Sequence, residues 1–145
     1  NWNAKYKGQK ICVLDDLSQE FLSKENLDFA EGCYSVYGHH FNITFFLLTQ
    51  NLFTKNMRHL SLNSHYIFTT KYNRDMNQIL TLARQIFPTK SHIFLKVYED
   101  AIKSSEAVDH RGYVMIDCHP ATKSTDMRVY TNIIPTQYPI IGYVL

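Results

Sequence analysis

Four consecutive apolar residues, Ile11-Cys12-Val13-Leu14, run straight into two adjacent carboxylates, Asp15 and Asp16. Apolarity without alternation marks a strand buried on both faces, as in a parallel sheet covered by helices. The abrupt change to charge sets the point at which that strand reaches solvent. Two further runs rich in branched and aromatic residues follow, Asn42 to Thr49 (NITFFLLT) and His65 to Thr70 (HYIFTT), and both predict strands.

Helical periods fill the intervals. Leu17 to Val36 carries Phe21, Leu22, Phe29, Ala30 and Cys33 at helical spacing, broken by Gly32 and Gly38, and predicts one or two helices or a helix and a loop. Asn51 to Ser64 predicts a short helix with flanking loops. Over Asp75 to Phe87, Met76, Ile79, Leu80, Ala83, Ile86 and Phe87 share one face, and Pro88 ends the helix. A further helix is predicted over Ser91 to Lys103 with Ser91 as its cap. Arg111 to Cys118 and Met127 to Ile134 read as two strands joined by a polar turn region. Strands alternating with helices predict an α/β fold, a mainly parallel sheet flanked by helices with a C-terminal antiparallel hairpin.

The length of 145 residues predicts one domain. A composition 45% hydrophobic with 5 Gly and 4 Pro excludes a disordered or collagenous chain. The formal charge of +2 argues neither for nor against nucleic acid, so any polyanion site must come from local placement of cations. Cys12, Cys33 and Cys118 lie far apart without a CxxC pair, which predicts buried thiols in a reducing compartment. The longest apolar run, Ile43 to Leu48, is far below the roughly 20 residues of a membrane span, so an intracellular protein is expected. The chain opens at Asn1, without an initiator Met, almost at once on a strand, which points to a fragment.

In an open α/β sheet, ligands bind beyond the carboxyl ends of the strands. There stand Asp15 and Asp16 after the first strand, Thr49-Gln50-Asn51 after the second, and Lys71, Asn73, Arg74 and Asp75 after the third, all expected at one edge. An apolar strand ending in two acids is the pattern of a Walker B element. Asp15 would hold Mg²⁺ directly or through its waters, and Asp16 would orient the attacking water. The plainer reading is a turn or helix cap. Gln50 can hydrogen-bond between metal, water and γ-phosphate without adding charge. Arg58 and Arg74, with Lys55 and Lys71 nearby, follow strand ends, and a guanidinium there stabilises charge on a transferring phosphoryl group. Arg74 is favoured because it stands directly between a strand and a helix; the plainer reading is a surface charge paired with an acid such as Asp75. His39-His40 and His119 lack an accompanying set of ligands at metal-binding spacing, and no zinc site is expected. No base-stacking role can be assigned to any of the 9 Phe, 10 Tyr and 1 Trp from sequence.

The ordered blocks ICVLDDL (Ile11 to Leu17), GHHFNITFFLLTQNLF (Gly38 to Phe53), SLNSHYIF (Ser61 to Phe68) and NRD (Asn73 to Asp75) resemble the poxvirus-type genome-packaging ATPases of the FtsK/HerA superfamily, in the versions carried by Polinton (Maverick) elements and related DNA viruses. The resemblance implies a RecA-like P-loop fold, a homo-oligomeric ring, ATP and Mg²⁺ as ligands in the complete protein, and translocation of double-stranded DNA into a capsid, with capsid or portal proteins as further partners. It implies a nuclear, cytoplasmic or virion-associated location. Asp15 and Asp16 match the Walker B acids, Gln50 the polar sensor, and Arg74 or Arg58 the arginine finger. No GxxxxGK[ST] occurs in the sequence, so the resemblance covers the portion from the Walker B strand onward, and these residues alone are expected to hold ATP feebly or not at all. Two other readings are a non-catalytic, domesticated α/β relic that binds DNA or protein, and an unrelated α/β domain whose acid pair caps a helix.

Overall fold

The computed structural model describes residues 8–16, 23–53, 58–71, 74–109, 112–134 and 138–145. The chain divides into two compact units, Asn1–Ser64 and His65–Leu145.

In the first unit, strands β1 (Lys10–Asp15) and β2 (Ile43–Leu48) pair in parallel, with Lys10 opposite Ile43 and Asp15 opposite Leu48. The crossover between them is helical. Helix α1 (Lys24–Gly32) starts at Ser23, whose Oγ accepts the Asn26 amide at 3.3 Å. It continues through a π-helical turn (Cys33–Tyr37) into the short α2 (Gly38–Phe41). Gly32 and Gly38 therefore do not break the helix, contrary to the sequence expectation. A Cβ at Gly32 would lie 3.1 Å from the Tyr37 ring, so the absent side chain leaves room for that ring. Asn42 ends the helix in the left-handed region at φ 54°, and Lys10 Nζ donates to the Phe41 carbonyl at 2.8 Å. Residues 17–22, which include the predicted Phe21 and Leu22 positions, lie outside the described residues.

Both strands alternate in burial. Leu14 and Leu47 pack with Tyr34 on Ala30 and on Leu60, which comes from α3 (Arg58–Leu62). On the opposite face Ile11 is 67% exposed and Val13 55%, so the expectation of strands buried on both faces is corrected: among the described residues of this unit, helices pack on one face only. Cys33 is buried, whereas Cys12 and Cys118 are half-buried, which corrects the expectation of three buried thiols. Burial pushes the Cys33 thiol up, and Cys12 adds to the shift.

The second unit is a four-stranded antiparallel sheet in sequence order, β3 (Tyr66–Thr70), β4 (Tyr113–Asp117), β5 (Met127–Thr131) and β6 (Ile141–Val144). Between β3 and β4 lie α4 (Met76–Ile86), capped by Asp75, and α5 (Ser91–Asp109). The mainly parallel sheet predicted from sequence is thus corrected to a two-stranded parallel pair and a larger antiparallel sheet. The reason is the number of helices: one crossover helix returns the chain for a parallel strand, whereas two successive helices return it once more and deliver β4 antiparallel to β3. Strand β6 lay outside the sequence expectation. Helix α5 runs to Asp109, past the predicted Lys103. Buried Ile79, Leu82, Phe94, Val114, Ile116 and Val129 form the core between the helices and the sheet.

Ile116 is fully buried, so Ile116→Ala should cost about 2–5 kcal/mol. Ile11→Ala, on the exposed face of β1, should cost well under that, and urea denaturation of the two variants checks the contrast.

Candidate functional site

The carboxyl end of the parallel pair carries the acids. The β1–β2 register continues one residue beyond the strand, where the Asp16 amide donates to the Leu48 carbonyl at 3.2 Å. Asp16 adopts φ 50°, in the left-handed region that L-residues with a Cβ rarely enter. Gln50 Nε2 then donates to Asp16 Oδ2 at 3.2 Å. Asp15 and Asp16 are both exposed.

The chain after β2 is shaped by its own side chains: Thr49 Oγ1 donates to the Asn51 carbonyl at 3.0 Å and accepts the Asn51 amide at 3.3 Å. Such a local turn holds Gln50 beside Asp16 with little dependence on distant structure. The acid and the amide, placed at the ends of two strands by sequence, are therefore brought together.

The cations have different positions. Arg58 is exposed at the start of α3 in the first unit, and among the described residues no ion pair joins it to Asp15 or Asp16. Arg74 precedes α4 in the second unit. Since β3 pairs with β4 and not with the parallel strands, the common sheet edge expected for Lys71, Arg74, Asp75 and the two acids is corrected. Asp75 is the cap of its own helix, with Oδ1 accepting the Asn77 amide at 3.1 Å and Oδ2 accepting from Gln78 Nε2 at 3.2 Å. Lys71 pairs with Glu106 at 3.1 Å. Lys55 and Asn73 lie outside the described residues, as does the His39 side chain.

Among the described residues no group of three or more His, Cys, Asp or Glu is arranged to hold a metal ion. No helix among them is long and apolar enough to cross a membrane. Sequence reasoning missed the left-handed backbone of Asp16; an Asp-Asp pair at a strand end is the available signal, because Asp tolerates that conformation better than most side chains. No family model, no curated protein and no solved structure matches the chain.

Asp16→Gly and Asp16→Ala both remove the carboxylate but differ in backbone freedom. Because a Cβ at a left-handed position costs about 1–2 kcal/mol, partly offset by the greater unfolded-state entropy of Gly, the Gly variant should be the more stable by about 0.5–1 kcal/mol. Equal urea midpoints for the two would remove the strain from the site.

Proposed function

We propose that this chain is the Walker B and sensor portion of a P-loop ATPase of the genome-packaging type, an ATP-driven motor for double-stranded DNA when complete. The observation that carries the reading is the hydrogen bond from the Gln50 amide to the Asp16 carboxylate at the ends of two adjacent parallel strands.

The residues fit the ligands that this reading requires. Magnesium keeps several waters and is commonly held by one or two carboxylates together with substrate phosphates, without a dedicated protein cage. Asp15, exposed at the strand end, is suited to such a role, and the lack of a three-ligand cluster among the described residues does not oppose it. When bound, Mg²⁺ supplies charge neutralisation between the β- and γ-phosphates. Asp16 has one carboxylate oxygen engaged by Gln50, which fixes the orientation of the other toward an attacking water. The strained backbone of Asp16 fits a position where geometry matters more than stability. Gln50 holds the acid without adding charge. Arg74, or alternatively Arg58, supplies the guanidinium across a ring interface.

The phosphate-binding loop is not among these 145 residues, so turnover belongs to a protein that also contains that loop. The second reading is a non-catalytic relic that binds DNA or protein. A protein joining these residues to a Gly-rich loop and its lysine, assayed for DNA-stimulated ATP hydrolysis, separates the two.

In such a protein Asp16→Asn should abolish hydrolysis, with a fall of at least a hundredfold in kcat, while nucleotide affinity stays within about threefold. An unchanged rate removes Asp16 from the chemistry. Arg74→Ala should lower hydrolysis in the assembled ring and leave nucleotide binding by the monomer intact. An equal loss in both measurements assigns Arg74 to ligand binding within one subunit.

A further inference from the structure

The sheet of the first unit carries one thiol on its covered side, and the helical crossover above it carries another. Cys12 stands between exposed Ile11 and Val13 on β1, on the same face as Leu14, so its side chain is directed toward the crossover. Cys33 opens the π-helical turn of that crossover and is 3% exposed. We infer that these two residues form a redox pair, closing a reversible disulfide between β1 and the crossover when a hydroperoxide reaches Cys12.

Packing puts both thiols at one level. The helical segment descends as the strands ascend, and its contacts follow in reverse order. Ala30 packs with Leu14 and Leu47, the Tyr34 ring lies 5.8 Å from that of Phe45, and a Cβ at Gly38 would lie 3.4 Å from the Ile43 carbonyl. Cys12 is opposite Phe45 in the register, which places it at the level of residues 33 and 34. Tyr34 takes the β2 side of that level, over Phe45. Cys33 is the buried residue of the turn, and the β1 side, where Cys12 stands, is left to it.

Close approach is the second requirement. A disulfide needs α-carbons within about 7 Å, less than bulky side chains between a helix and a sheet permit. Gly38 removes that obstacle: the same Cβ position lies 3.4 Å from the Cys33 carbonyl, so only an absent side chain stands between the turn and the first residue of β2. The groups also sense one another. Burial pushes up both the Cys33 thiol and the Tyr34 hydroxyl, and in each case Cys12 adds to the rise, an influence that falls off with distance.

Exposure assigns the two parts. Cys12 is half-buried and Cys33 buried, and the Cys33 thiol, kept protonated by its surroundings, does not compete for the oxidant. The Cys12 thiolate attacks the hydroperoxide oxygen, the O–O bond breaks, and the alcohol, or water from hydrogen peroxide, leaves with the proton that Cys12 lost. The Cys33 sulfur then displaces the hydroxyl of the Cys12 sulfenic acid, which departs as water with the Cys33 proton. The pair gives up two electrons and two protons, and the peroxide is reduced by them. A bond that forms transiently under peroxide suits the reducing compartment expected from the sequence. Closure ties the strand that ends in Asp15 and Asp16 to its crossover, so oxidation restrains the element carrying the acids without touching them.

The test is oxidation of the reduced 145-residue chain by hydrogen peroxide, dilute and without denaturant, followed by alkylation with N-ethylmaleimide and peptide mass spectrometry. A Cys12–Cys33 bond within one chain is expected, reversed by dithiothreitol, with Cys118 alkylated. Dimedone should trap a sulfenic acid on Cys12 in Cys33→Ala, and Cys33 should stay a thiol in Cys12→Ser. Oxidation should raise the urea midpoint of the parent and of Cys118→Ser and leave that of Cys12→Ser unchanged. The inference is overturned if Cys12 and Cys33 stay thiols while free glutathione is consumed under the same conditions, if Cys118 replaces either of them, or if the bond joins two chains. A sulfenic acid trapped on Cys33 overturns the assignment of parts. A bond that forms only in urea, or that lowers the midpoint, overturns it as well, because the folded geometry then does not bring the thiols together. Should Cys33→Ala fail to fold, the peptide map of the parent decides alone. ATP enters no arm of the experiment, so its outcome is independent of the ATPase reading.

Discussion

The parallel register of β1 on β2 is the constraint on which the candidate site depends. It is set by alternation: Leu14 and Leu47 must both turn toward the helical cover that carries Ala30 and Leu60. A slip of one residue would turn the leucine of the shifted strand to the open face and displace its strand-end residues with it. With the register fixed, the Asp16 amide reaches the Leu48 carbonyl, the chain turns left-handed, and the side chain of Gln50 meets that of Asp16. Packing on one face therefore determines polar geometry at the strand ends.

The local chemistry of the sequence was legible where the signal is short-range. The acid pair lies at the end of its strand, Gln50 lies beside it, and Pro88 follows the end of α4. What could not be read was the pairing of strands far apart. His65 to Thr70 has the same branched, aromatic character as the strands before it, and nothing in its six residues distinguishes a third parallel strand from the edge of an antiparallel sheet. The decision lies in the interval after it, where two helices and not one precede β4. Both helices were visible as periods; the consequence for strand direction follows only when reversals of the chain are counted.

Glycine and alternation misled in instructive ways. Gly32 and Gly38 look like helix breakers, yet the ring of Tyr37 occupies the space beside Gly32, and the helical segment passes through. Continuous apolarity in Ile11 to Leu14 implies two covered faces, yet Ile11 and Val13 are exposed. A two-stranded parallel sheet with an apolar uncovered face departs from the rule that parallel sheets are covered on both sides.

The two open faces differ in chemistry. On the first unit the open face presents Ile11, Val13, Phe46 and Leu48, aliphatic except for one ring, a surface that suits dry packing against other protein. On the second unit the corresponding positions carry Tyr66, Phe68, Tyr113 and Tyr130 together with Arg128 and Asp117. The hydroxyls of Tyr113 and Tyr130 are bonded to backbone groups, and the Tyr130 ring lies against Gly142. The orientation of these two rings is thus fixed by the connections of the sheet itself, a restraint that the aliphatic side chains of β1 and β2 cannot have.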